Sequence, residues 1–209
     1  MKALTVQIQN VVASVSFKQK FDLLTIASTF QNIEYRPNVF PGLVFRLMRP
    51  KTAILIFGSG KMVCTGAKSE KEAERAVRKV ARELRKGGIT VSGKPEIQIT
   101  NIVASANLGG YIDLDALASQ RMGGRIIFEP EQFPALIYRW ENPKVVFLVF
   151  STGKVVCVGA KREVEVHEAI KRFRRRLEEG GFMLKEETPI ISKQASTLIH
   201  EVLKERGEK

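Results

Sequence analysis

Cysteine and histidine are scarce in this chain of 209 residues, which has two of each. Cys64 and Cys157 cannot make a disulfide framework, and no ligand cluster surrounds either. Each lies in an apolar run, Met62-Val63-Cys64 or Val155-Val156-Cys157, where a small buried side chain is expected. His167 and His200 have no nucleophile or ligand at useful spacing, so both are expected to face solvent and neither starts a catalytic or metal site. No cofactor is implied. No apolar run approaches the roughly 20 residues of a membrane span. The first residues also lack the charged, apolar and small-residue order of a secretory signal, so the chain is expected to stay inside the cell. Acidic residues are short as well, 22 against 34 Lys and Arg, for a formal charge of +12. That excess points to an acidic partner, nucleic acid before a membrane surface.

What the chain does contain, it contains twice. Phe40-Pro41-Gly42-Leu43-Val44-Phe45-Arg46 returns as Phe133-Pro134-Ala135-Leu136-Ile137-Tyr138-Arg139. Ser59-Gly60-Lys61-Met62-Val63-Cys64-Thr65-Gly66-Ala67-Lys68 returns as Thr152-Gly153-Lys154-Val155-Val156-Cys157-Val158-Gly159-Ala160-Lys161, at the same spacing of 93 residues. Upstream, Asn10-Val11-Val12-Ala13-Ser14 returns as Asn101-Ile102-Val103-Ala104-Ser105, here at 91. A register held across separate blocks marks an internal duplication, and units this long are subdomains rather than solenoid repeats. The expected division is 1–91 and 92–184 for the two units and 185–209 for a tail. In the tail Ala195, Leu198, Ile199, Val202 and Leu203 have the spacing of an amphipathic helix, which would pack on the body or dock a partner.

Each unit reads as strand, helix, four strands, helix. In the first, a strand from Thr5 to Phe17 precedes a short helix capped by Asp22. Ile33 to Arg36, Leu43 to Met48, Thr52 to Phe57 and Lys61 to Thr65 follow as strands. A helix from Ser69 to Lys86 stops at Gly87-Gly88, and its partner from Glu163 to Glu179 stops at Gly180-Gly181. Short antiparallel connections with helices on one side make an α+β layer pair. Side chains alternate across a strand. Met62 and Cys64 suit the helix-covered face, which leaves Lys61, Val63 and Thr65 on the other, with Leu55, Phe57, Asn10, Val12 and Ser14. An apolar face that nothing covers usually marks an interaction surface.

The doubled blocks resemble the TATA-box-binding protein family, over roughly residues 5 to 184, and the lack of a long N-terminal extension resembles its archaeal members. The resemblance implies a saddle, a curved ten-stranded antiparallel sheet with helices on the convex side. It implies a general transcription initiation factor, not an enzyme, located with the nucleoid of an archaeal cell. Such a factor binds the minor groove of A/T-rich TATA-box promoter DNA and kinks it. The family is one of the cases behind the general rule for kinking by apolar wedges, so the bend comes from the resemblance.

By motif match, Phe40 with Phe57 and Phe133 with Phe150 are the intercalating pairs. Val12, Val63, Val103, Val156, Leu55 and Leu148 would line the groove floor, where an apolar surface disfavours the exocyclic amine that only G·C presents. Asn10, Asn101 and Thr65 would donate to central base acceptors. Arg46, Arg139, Lys61, Lys154, Lys68 and Lys161 would meet phosphates, positioning the duplex without reading it. Val158 stands where the family commonly has threonine, which should remove one hydrogen bond and loosen sequence preference on that side. Ala135 replaces the glycine of its repeat mate.

The loops break the symmetry, with Arg36 and Asn38 matched by Glu129 and Glu131. In the family the acidic loop meets transcription factor B, so Glu129 and Glu131 are the expected docking residues, with RNA polymerase recruited indirectly. Arg75, Arg78, Lys79, Arg82, Arg85 and Lys86, with Lys171, Arg172, Arg174, Arg175 and Arg176, form basic helix faces among glutamates. A solvated face is the reading adopted, against a second acidic partner. Gly58-Ser59-Gly60-Lys61 resembles the end of a phosphate-binding loop, but Leu55 and Met62 occupy its required Gly and Ser/Thr positions. A saddle that binds RNA or protein through its concave face is the alternative function. Pairing of free copies through the apolar face to give a homodimer stays open.

Overall fold

Period-two burial is the pattern that organises the molecule. A computed structural model describes residues 3–31, 33–119 and 125–184, so the expected tail helix lies outside the described residues. The elements of the first half are β1 (Thr5–Ser16), α1 (Leu23–Thr29), β2 (Ile33–Tyr35), β3 (Gly42–Met48), β4 (Lys51–Phe57), β5 (Lys61–Ala67) and α2 (Glu70–Lys86). Those of the second are β6 (Glu96–Asn107), β7 (Tyr111–Ile112), α3 (Leu114–Ser119), β8 (Arg125–Ile127), β9 (Leu136–Trp140), β10 (Val145–Val149), β11 (Lys154–Ala160), α4 (Glu163–Glu179) and β12 (Met183–Leu184).

Ten strands form one antiparallel sheet in the order β2-β3-β4-β5-β1-β6-β11-β10-β9-β8. Both halves follow the same path outward from the central β1–β6 pair, and each half carries its helices on the same face. This is the expected α+β saddle. The sequence reading lacked one piece, a small sheet in which Met183 and Leu184 of β12 pair with Ile112 and Tyr111 of β7.

One face of the large sheet is core. Val11, Ala13, Ile54, Ile56, Met62 and Cys64 are buried in the first half, and Ile102, Ala104, Phe147, Val149, Val155 and Cys157 in the second. Against them pack Ala73, Val77, Val80 and Leu84 of α2, and Val166, Ile170, Phe173 and Leu177 of α4. Each large apolar side chain so buried contributes about 1.5–3 kcal/mol. Phe147 and Phe173 stack with ring centroids 4.4 Å apart. Burial pushes the Cys64 thiol up to about 11, with Glu72 adding to it, and the Cys157 thiol up to about 12. Both are therefore protonated and inert at neutral pH.

The helix starts show where local rules suffice and where they fail. The Asp22 carboxylate accepts from Leu24 N–H and Thr25 N–H to begin α1, and the Ser69 hydroxyl accepts from Glu72 N–H to begin α2. At the matching position before α4, Arg162 makes no side-chain cap. Instead the two long helices cap each other. Glu163 Oε1 accepts from Glu70 N–H at 2.7 Å, and Glu70 Oε1 accepts from Glu163 N–H at 2.6 Å. A carboxylate at a helix N-terminus satisfies an orphan donor and the macrodipole together. This reciprocal pair joins the two halves behind the sheet.

Candidate nucleic-acid interface

The residues that alternate with the core point away from the helices. Val44, Leu55, Val63 and Ser14 follow one another across β3, β4, β5 and β1. Ile137, Leu148, Val156 and Ser105 repeat that row across β9, β10, β11 and β6. All are half-buried by their neighbours in the sheet, with no helix above them. Val12 pairs with Asn101 and Asn10 with Val103 at the centre. From there, Thr65, Ala53 and Arg46 lead outward in one half, and Val158, Val146 and Arg139 in the other. The expected groove-floor residues therefore share one continuous concave face.

Two glycines aim the central asparagines, a feature the sequence reading missed. Strand β5 shifts register near Gly66 and β11 near Gly159, and both glycines have positive φ, 94° and 110°. That conformation belongs to a bulge and suits glycine. The Gly66 N–H donates to Asn10 Oδ1 at 2.7 Å, and the Gly159 N–H to Asn101 Oδ1 at 2.9 Å. A backbone N–H can only donate, so it fixes which end of each amide is the oxygen and leaves the NH2 as the donor end. Thr65 Oγ1 lies 3.3 Å from Asn10 Nδ2 and 3.4 Å from Oδ1. Val158 leaves Asn101 without such a neighbour. The sequence signal available was the repeated Gly-Ala pair, 66–67 and 159–160.

The phenylalanines form two matched pairs in opposite halves of the sheet. Phe40 and Phe57 meet at 5.7 Å between centroids with 66° between planes; Phe133 and Phe150 meet at 6.4 Å and 66°. One turn sets both, since Phe40 N–H donates to Arg36 O and Phe133 N–H to Glu129 O, each at 2.9 Å. Gly42 lies opposite Phe57 in the ladder, and a Cβ there would stand 2.7 Å from a Phe40 ring carbon and 2.9 Å from one of Phe57. Ala135 carries that methyl in the second half. There the rings stand further apart, and Phe133 is 42% exposed.

Charge is segregated by layer. Across the ten strands of the sheet the only acids are Glu34 and Glu96, in β2 and at the start of β6. Lys61, Arg139, Lys154 and Lys161 are exposed and make no salt bridge among the described residues. Arg46 lies 3.5 Å from Glu34, and Lys68 Nζ donates to Gln9 O at 2.6 Å. Glu129 and Glu131 stand apart from the sheet, exposed on the turn that places Phe133. On the convex helices Arg78 pairs with Glu74, Arg174 with Glu178 and Arg175 with Glu179, while Lys79 donates to Arg49 O and Arg172 lies over the Trp140 ring. Gly58-Ser59-Gly60 is the hairpin turn between β4 and β5. His167 is exposed on α4; His200 lies outside the described residues.

The family described as transcription factor TFIID, or TATA-binding protein, matches residues 5–87 and 96–180. The chain belongs to the TATA-binding protein family. Among its relatives, the TATA-box-binding protein of Sulfurisphaera tokodaii is 52% identical over 80% of this chain and 84% of its own. That of Aeropyrum pernix is 50% identical over 86% and 87%. The solved structure of Methanococcus jannaschii TBP superposes with a TM-score of 0.75 at 48% identity, covering 83% of this chain and 98% of that one. The two family matches coincide with the two halves of the sheet and its long helices. No helix among the described residues is long and apolar enough to cross a membrane.

Proposed function

We propose that the chain is a transcription initiation factor that binds the minor groove of A/T-rich promoter duplex with its concave sheet. The observation that carries this reading is the uncovered apolar face, almost free of acids and bounded by two phenylalanine pairs. A flat apolar ring replaces lost base stacking, which a charged or small side chain cannot do. Phe40 with Phe57, and Phe133 with Phe150, are the wedges. Unstacking costs a few kcal/mol per step, which wider contact on the bent duplex offsets. Val12, Leu55, Val63, Val103, Leu148 and Val156 form a floor with no acceptor for a guanine amine. Asn10 and Asn101 turn donors toward acceptors that every minor groove presents. Arg46, Lys61, Lys68, Arg139, Lys154 and Lys161 bind phosphates. Glu129 and Glu131 dock a basic surface of transcription factor B, and RNA polymerase follows through it.

Base analogues test the groove assignment. An inosine·cytosine duplex has the major-groove pattern of G·C but lacks the minor-groove amine. Titration of A·T, I·C and G·C versions of one site should rank the first two together and well above G·C. If I·C binds like G·C, the sheet is not reading the minor groove.

A further inference from the structure

We propose that the two halves of the concave sheet reject G·C pairs unequally, the half carrying Val158 being the stricter and the half carrying Thr65 the more tolerant. This rests on the minor-groove reading above and names which residues set its specificity. Donors and acceptors on the two surfaces set the difference. In the minor groove all pairs present acceptors, and only G adds a donor, its amine. A protein donor lost from the face therefore weakens binding to every pair alike, whereas a protein acceptor matters only where a G lies.

Near the centre of the first half, the acceptor is the half-buried Thr65 hydroxyl, which has one proton and two lone pairs and can rotate to suit either partner. In the second half the matched atoms are the Val158 methyls, of similar shape and without polarity. The nearby amide adds no acceptor, because Asn101 Oδ1 is taken by the Gly159 N–H and its other end, the NH2, only donates. A guanine amine over Val158 would meet methyl groups and another donor, and would be buried without a partner. Over Thr65 it finds an oxygen. The missing hydroxyl thus tightens preference in the second half, where the sequence alone suggested loosening. A site with one G·C pair beside its centre should be bound in a single orientation, with the Thr65 half over that pair.

The test reads orientation directly. Cys64 and Cys157 are buried, so a Ser59→Cys variant carries one accessible thiol, on the exposed β4–β5 turn, for an iron-chelate cleavage reagent. A palindromic A·T-only duplex should be cut equally at its two ends, which sets the baseline. With one G·C pair beside the centre, cutting should favour the end on the G·C side by about tenfold, because the thiol introduced at Ser59 travels with the Thr65 half. Adding Val158→Thr should restore equal cutting. Adding Thr65→Val should also equalise it, with binding to the G·C-bearing duplex falling about tenfold further than binding to the A·T-only duplex. Equal cutting by the parent variant, bias in the opposite sense, or bias that survives Val158→Thr would overturn the proposal. Failure of the minor-groove reading would show separately, as no preference for the A·T-only duplex over a fully G·C one.

Discussion

Replacing Gly42 with alanine puts a methyl group between two aromatic rings that now stand 5.7 Å apart. Its Cβ would lie 2.7 Å from Phe40 Cε1 and 2.9 Å from Phe57 Cε1, both too close to keep. The atoms in the way are ring edges, so the rings rotate and the backbone stays. Off-rotamer strain costs about 0.5–1.5 kcal/mol, and the stiffer unfolded chain returns about 0.4–1 kcal/mol. With the weakened edge-to-face contact of the free protein counted as well, folding stability should fall by no more than about 2.5 kcal/mol. The ring pair should open toward the 6.4 Å spacing that Ala135 accompanies in the other half. Weakening the edge-to-face contact, worth about 0.5–1.5 kcal/mol, should lower DNA affinity about three- to tenfold. Calorimetry gives the first quantity. Titration of the duplex gives the second, and permanganate oxidation of thymines at either outer step locates the unstacking, which should fall at the Phe40 end alone. Ala135→Gly should act oppositely at the other end. Unchanged unstacking at both ends, or a stability loss above about 3 kcal/mol, would refute this reasoning about the ring pair.

Charge reversal of the second loop, Glu129→Lys with Glu131→Lys, should abolish assembly with transcription factor B in a gel-shift experiment while leaving binary DNA binding intact. If Arg46, Arg139, Lys61, Lys154, Lys68 and Lys161 each release a counterion, log K should fall against log salt with a slope of about −5, and Lys154→Ala should lower that slope by about one. Cys64 and Cys157 should resist a thiol reagent at neutral pH until the chain unfolds. Their folded thiols titrate near 11 and 12, above the ordinary 9.0, so the unfolded chain releases protons first as pH rises. Stability should be unaffected by them below about pH 9 and should fall from there toward pH 11–12, a decline that denaturant titration at stepped pH would reveal.

The repeat register and strand periodicity made the large sheet legible, because Met62 and Cys64 could go inward only if Val63 and Thr65 went outward. Asp22 and Ser69 were legible as caps because capping is a local rule. The α4 start was not, since Arg162 offers no cap and the acceptor is Glu70, 93 residues away from the donor at Glu163. The β7–β12 pair escaped for a similar reason: two-residue strands have no period, and their pairing depends on chain folded around them. At the site, residue types were readable and their aim was not. Asn10 and Asn101 could be named as donors, but the bulge glycines that fix which end of each amide is the oxygen act through backbone geometry. The unequal spacing of the phenylalanine pairs likewise became visible only in three dimensions.

Bending is the property on which the account turns. Energy transfer between dyes at the two ends of a short TATA-containing duplex, titrated with the protein beside a G·C-rich control, measures it. The account predicts a large rise in transfer on the A/T-rich duplex alone, lost in a Phe57→Ala, Phe150→Ala variant that keeps its unfolding midpoint. Binding of both duplexes alike, without any change in transfer and abolished by salt, would contradict it and leave a basic protein holding phosphates.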